Sequence, residues 1–257
     1  MQPNLLLPSL LSFFCLFLAF YALPSSCQDD FYLYTECAPF SYRCGTETYD
    51  IRYPFLVVER SQSCGFPGYR FECTENTLTT NISSVLYNVK SIDYQSNILT
   101  VSRRDFTGQT CPVESTMTES MYYNVSSEVQ NLTLYYGCPR VAISSGFYQL
   151  PCFNESDLFA YFTFETGLGV PAAGFVDCET SVMQILASEE DRLKEEPSAF
   201  AQVLEQGFNV MWIMGAQWCK QCVDSGGRCG YVETQYAEPT CFCRDDIHVT
   251  PCPPLRI

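Results

Sequence analysis

Cationic side chains are scarce in this chain: Lys and Arg number 14 against 29 acids, with a single histidine, and the net charge is −15. A surface of that sign excludes nucleic acid and anionic membrane as general partners, since both are polyanions. His248 is the one position from which Ser-His-Asp or Cys-His chemistry could run; it sits beside Asp245-Asp246 in a cysteine-rich tail, and no nucleophile elbow accompanies it. A P-loop, a Gly-rich nucleotide loop and a kinase catalytic signature are all missing, and nothing singles out two of the acids as a glycosidase pair. The expectation is a non-enzyme with no catalytic residue, resident metal or cofactor. Beyond residue 23 no run is long and apolar enough to span a bilayer.

What is abundant is apolar and sulfur-bearing. Leu5 to Leu23 is almost wholly apolar and breaks at Pro24-Ser25-Ser26-Cys27, the layout of a secretory signal peptide over residues 1–27. The first four residues carry no Lys or Arg, so the alternative is an uncleaved anchor that would keep the protein at a membrane. Of 16 cysteines, Cys15 lies in the apolar run and Cys27 at its end. The remainder are Cys37, Cys44, Cys64, Cys73, Cys111, Cys138, Cys152, Cys178, Cys219, Cys222, Cys229, Cys241, Cys243 and Cys252. They form an even set suited to disulfides in an oxidising compartment. Sequons at Asn81, Asn124, Asn131 and Asn154 fit a secreted, N-glycosylated surface. With 47% hydrophobic and 15% aromatic residues the chain has ample material for a core.

Short alternating runs bounded by Gly, Pro, Ser and Asn point to a mainly β, disulfide-rich fold of two small modules. The first, residues 28–107, centres on Cys44-Gly45, Tyr53 to Val58 and Cys64 to Cys73. Its Cys-Gly and Pro-Gly pairs read as turns, and Tyr69, Phe71 and Cys73 share one strand face opposite Arg70 and Glu72. The second module, 108–257, has one short helix from Pro197 to a Gly207 cap, after an acidic stretch at 189–196 that is a loop or a helix start. A strand bearing Phe208, Val210 and Trp212 follows. The tail, 219–252, is cysteine-rich and resembles an epidermal-growth-factor-like unit. Its Trp218-Cys219-Lys220-Gln221-Cys222 step looks like a redox motif, but a turn is expected after it, and structural disulfides are favoured over redox chemistry or a zinc site at Cys219, Cys222, Cys241 and Cys243.

Charge is uneven along the chain. Residues 28–107 hold Arg43, Arg52, Arg60, Arg70, Lys90, Arg103 and Arg104 against ten acids, and the rest is far more acidic. The planar guanidinium fork suits carboxylates, and aromatic rings stack on sugar faces. Arg52-Tyr53, Tyr69-Arg70 and Arg103-Arg104 are therefore the candidate carbohydrate contacts, though Tyr53 and Tyr69, taken singly, read rather as core of a small sheet.

The pattern CG-x7-YPF-x8-CG-x-PG-Y-x3-C from Cys44 to Cys73, with Arg103-Arg104-Asp105-Phe106 after it, resembles the galacturonan-binding domain of plant wall-associated receptor kinases. Gly207-Phe208-x3-Trp212 and the C-x2-C-x2-SGG-x-CGY step from Cys219 to Tyr231 resemble the associated C-terminal domain, as in leaf-rust-type receptor-like kinase ectodomains. Leu56 stands where the family often has tryptophan. The resemblance implies an extracellular, apoplastic protein that binds pectin or oligogalacturonides, with bridging calcium as the one ion such a ligand brings, and with receptor kinase ectodomains as further partners. A soluble co-receptor or decoy is the alternative. Transmembrane and kinase regions of the family are not present in these residues.

Overall fold

A computed structural model of the chain describes residues 27–105, 120–140, 146–150, 158–164, 174–232, 238–244, 246–248 and 251–253. The signal-peptide reading over residues 1–26, and the expectations for Cys111, Cys152 and Asn154, lie outside them.

The mainly β, disulfide-rich class holds. A helix α1 (Cys27–Glu36) leads into the hairpin β1 (Phe40–Cys44) and β2 (Glu47–Ile51). Five further strands follow: β3 (Leu56–Val57), β4 (Arg70–Thr74), β5 (Thr77–Ile82), β6 (Val85–Asp93) and β7 (Ile98–Arg103). Beyond residue 120 come β8 (Tyr123–Val125), β9 (Val129–Cys138), β10 (Tyr148–Leu150), β11 (Phe159–Thr163) and β12 (Glu179–Leu186). Two short helices, α2 (Glu190–Glu195) and α3 (Phe200–Gln206), lead to β13 (Phe208–Trp212). The tail holds α4 (Ala216–Asp224), β14 (Arg228–Val232), β15 (Glu238–Phe242) and β16 (Ile247–His248).

The principal sheet runs β3-β4-β5-β6-β7-β13-β8. β3 pairs with β4 in parallel, and the other pairs are antiparallel. β4, β5 and β6 are joined by two-residue turns whose central residues, Glu75-Asn76 and Ser83-Ser84, all have positive φ. That is the turn geometry whose twist matches paired strands. Strand alternation then separates the faces. Tyr69, Phe71, Leu78, Tyr87, Val101, Phe208, Val210 and Trp212 enter one core with Phe55, while Arg70, Glu72, Asn81 and Leu86 stay exposed on the other face. The sheet takes β13 and β8 from beyond residue 107, so one hydrophobic core is built from both stretches of chain.

A second sheet, β10-β11-β9-β12, buries Leu132, Leu134, Phe162, Met183 and Ile185 against Leu193, Phe200 and Val203 of α2 and α3. Pro197 opens a 3-10 turn into α3 and Gly207 closes that helix, as the spacing predicts. At Gly207, φ is +86° and an added Cβ would stand 2.1 Å from the Val101 carbonyl oxygen, so the turn from α3 into β13 sits hard against β7.

Four expectations need correction. The helix content exceeds the single helix anticipated: α1, α2 and α4 are also present. In α4 the helix runs through Cys219 and Cys222 to Asp224, so the turn begins at Ser225. Of the Tyr53–Val58 strand only Leu56–Val57 pairs, because Tyr53 and Phe55 turn into separate cores and Pro54 has no N–H to donate. Gly45 and Gly68 do take positive φ, but Gly65 is extended at φ −135°. Gly65 is required by proximity instead: its Cβ would lie 2.4 Å from that of Leu56.

Candidate functional site

Among the described residues six disulfides hold these pieces: Cys37–Cys64, Cys44–Cys73, Cys138–Cys178, Cys219–Cys229, Cys222–Cys241 and Cys243–Cys252. Cys219 and Cys222 bond to different partners, so neither a redox dithiol nor a zinc site forms from the four cysteines considered for it. The sulfur-rich core of the tail closes on the first sheet through Tyr53, which packs beside Trp218 with ring centroids 6.3 Å apart. His248 pairs with Cys241 across the β15–β16 ladder, and its Nε2 has no hydrogen-bond partner among the described residues.

The six candidate sugar contacts do not form one cluster. Tyr53 is buried, and burial pushes its phenol far above the ordinary range. Tyr69 is fully buried; its hydroxyl donates to the Tyr122 carbonyl at 2.6 Å and accepts from the backbone N–H groups of Ile213 and Met214. Burial raises its pKa, and those two accepted bonds lower it in part. Both tyrosines therefore join the first sheet to the chain beyond residue 212 and are closed to a ligand. Arg103 points inward beside Tyr87 and holds both Asp105 carboxylate oxygens through the Nε–Nη2 edge of its guanidinium, with 2% of its side chain exposed.

Of the other three arginines, Arg52 and Arg70 are exposed and Arg104 is half-buried, each in a different setting. Arg52 lies 4.4 Å above the Tyr94 ring and bonds Asp50 at 2.6 Å. Arg104 bonds Glu75 at 2.6 Å and reaches the Thr74 carbonyl and Asn88. Arg70 differs: its guanidinium makes no ion pair or hydrogen bond among the described residues. It opens on a recess of about 280 Å³ lined also by Leu56, Gln62, Ser63, Pro67 and Tyr231. No described acid lines that recess. Glu72, the next outward residue of β4, makes no ion pair with Arg70.

Two distant stretches build the recess. Leu56 is the register partner of Arg70 on β3, and Gln62 and Ser63 belong to a 3-10 turn pinned by the Cys37–Cys64 bridge. Tyr231 arrives on β14, its ring 5.8 Å from Phe66. β14 approaches this turn so closely that a Cβ at Gly230 would meet the Ser63 carbonyl oxygen at 2.4 Å and the Phe242 ring at 2.0 Å. Gly230→Ala is accordingly expected to lower stability by about 1–3 kcal/mol, the usual cost of overpacking, read as a fall in the thermal midpoint. An unchanged midpoint would mean that the tail stands further from the turn.

Tyr231, Gln62, Ser63 and Pro67 were not anticipated as contacts. The Cys-Gly-Tyr step drew attention to Tyr231, but its meeting with Arg70 is a tertiary fact. Of the sequons, Asn81, Asn124 and Asn131 are exposed, and continuing the β4–β5 register sets Asn81 opposite Arg70 on the same face.

Comparison with known proteins places these two stretches. Residues 37–103 match the family described as wall-associated receptor kinase galacturonan-binding, and residues 152–246 match wall-associated receptor kinase C-terminal. Leaf rust 10 disease-resistance locus receptor-like protein kinase-like 2.1 of Arabidopsis thaliana is 27% identical over 238 residues, covering 86% of this chain and 36% of the relative. The kinase-like 2.8 relative of the same plant is 26% identical over 243 residues, covering 83% and 25%. The kinase-like 2.3 relative is 37% identical over 109 residues, covering 40% and 17%. The chain thus spans from a quarter to just over a third of the length of the first two of these relatives, and no solved structure matches it. Among the described residues no helix is long and apolar enough to cross a membrane. Arg70 falls inside the first matched segment and Tyr231 inside the second: over these residues the chain is similar to a wall-associated receptor kinase galacturonan-binding domain followed by a wall-associated receptor kinase C-terminal domain.

Proposed function

We propose that this chain is an extracellular, cell-wall-facing binding unit of receptor-kinase type that takes acidic pectin, that is, galacturonan chains. The observation that carries the reading is the match of residues 37–103 to a galacturonan-binding family. The disulfides and the outward-facing sequons support an oxidising, extracytoplasmic location. The kinase activity named for the relatives is not part of the proposal.

The physical difficulty is that a protein of net charge −15 meets a polyanion. At ordinary ionic strength the screening length is about 8 Å, so remote acids contribute little repulsion and the outcome rests on groups at the contact itself. Titration with oligogalacturonides of defined length is expected to give saturable binding that weakens as salt rises above that level, because contact charge pairs are then screened too. Calcium, bridging ligand carboxylates to surface acids, is expected to strengthen it. Absence of saturable binding with or without calcium would overturn the proposal and redirect the search to protein partners, the co-receptor or decoy reading.

The location has its own test. In protein produced in plant cells, Asn81→Gln, Asn124→Gln and Asn131→Gln are each expected to remove one glycan step in gel mobility, and peptide-N-glycosidase is expected to remove all of them. Mobility indifferent to the enzyme would count against passage through the secretory route.

A further inference from the structure

We propose that the recess at Arg70 is the subsite for a single uronate carboxylate, and that the two matched domains build it jointly. This rests on the galacturonan-binding reading above and names where on the surface the acid group goes.

Availability distinguishes Arg70. Arg52 and Arg104 each hold a carboxylate at 2.6 Å, Arg60 holds Glu36 at 3.1 Å, and Arg103 is sealed with Asp105. A ligand carboxylate reaching any of these must displace an internal one. Arg70 offers its fork with no partner among the described residues to displace, on a wall without described acids. A guanidinium presents two parallel N–H donors at the spacing of carboxylate oxygens, which makes the contact selective for an acid over its neutral ester.

The rest of the recess fits a sugar ring. Pro67, Leu56 and the edge of Tyr231 give apolar surface for C–H groups, while the Gln62 amide and Ser63 hydroxyl can both donate to and accept from ring hydroxyls. Size limits occupancy. Drug-sized ligands occupy pockets of roughly 300–1,000 Å³, so about 280 Å³ holds one monosaccharide unit while the chain continues over the open rim. Both rims are needed: Arg70, Gln62 and Ser63 come from the galacturonan-binding domain, and Tyr231 comes from the C-terminal domain across the Gly230 contact. A single subsite implies modest affinity per unit and gain through repeated engagement along the polymer.

The test compares the secreted protein with its Arg70→Gln and Arg70→Lys variants, using calorimetric titration with oligogalacturonides and with the same oligomers fully methyl-esterified. Arg70 is exposed and makes no hydrogen bond through its side chain among the described residues, so both variants should fold; equal thermal midpoints check this. Wild type is expected to prefer the acid form. Arg70→Gln is expected to lose roughly ten- to a hundredfold in affinity for it, with the acid–ester preference gone. Arg70→Lys should retain part of the affinity through charge alone. Arg52→Gln should remain within about twofold of wild type, the most that an exposed and already paired side chain is expected to contribute. If wild type binds and Arg70→Gln binds equally well, the subsite assignment is wrong while the pectin reading stands. If wild type itself ignores both oligomers, the pectin reading fails first.

Discussion

Trp212→Ala is expected to cost about 3–5 kcal/mol, the range for deleting a large buried aromatic side chain. Trp212 is 2% exposed and stands edge-on to Phe55 at 4.8 Å and to Tyr94 at 5.7 Å, on the strand between β7 and β8. Its loss empties the centre of the principal core, and it does so from the C-terminal side of the chain. For a domain of this size each kcal/mol moves the midpoint by about 2–4 °C, so thermal denaturation should shift by roughly 6–20 °C. Trp212→Phe should cost less, because Nε1 makes no hydrogen bond among the described residues and an aromatic ring is retained. A shift below about 2 °C for the alanine variant would mean that β13 is not part of the fold's cooperative core.

Joint replacement of Cys222 and Cys241 by serine should have an effect almost as large but confined to the tail. The cluster there consists of Tyr53 and four buried cysteines, partly covered by Phe66 and Trp218, so covalent links stand in for apolar volume. Removing a bridge across a separation of 19 residues should cost about 3 kcal/mol. A unit of three short strands and one helix has no core of its own to absorb that loss. Amides of β14 and β15 should therefore exchange with solvent far faster, while those of β5, β6 and β7 keep their protection. Because Tyr231 is carried on β14, oligogalacturonide affinity should fall in the same variant although Arg70 is untouched. Uniform exchange across all strands would instead mean one cooperative unit, and unchanged affinity would remove Tyr231 from the recess.

Much of the local structure was legible in the residues. The alternation of Tyr69 to Cys73 anticipates β4 with Arg70 outward, the Pro197–Gly207 frame anticipates α3, and Phe208, Val210 and Trp212 do share the buried face of β13. These are short-range signals, each carried by periodicity or a cap. Sheet neighbours are not: nothing within residues 208–212 says that β13 inserts between β7 and β8. The helix α4 was obscured because closely spaced cysteines suggest turns, whereas here Cys219 and Cys222 point from a helix toward separate partners. The arginines show the same division. Residue type nominated them for carboxylate binding, but only tertiary structure separates the sealed Arg103 and the paired Arg52 and Arg104 from the open Arg70.

The place of β13 in the sheet also bears on how the protein would carry force. A polymer held at Arg70 pulls on β4, and the chain beyond residue 212 leaves from β13. Between those points the tension crosses laterally through the ladders of β5, β6 and β7 with the four register pairs from Phe208↔Val101 to Met211↔Ile98, and directly through the Ile213 and Met214 N–H bonds to the Tyr69 hydroxyl. No slack tether lies in that path to extend first, so a tug on the sugar reaches the C-terminal segment at small extension, as along a taut cord.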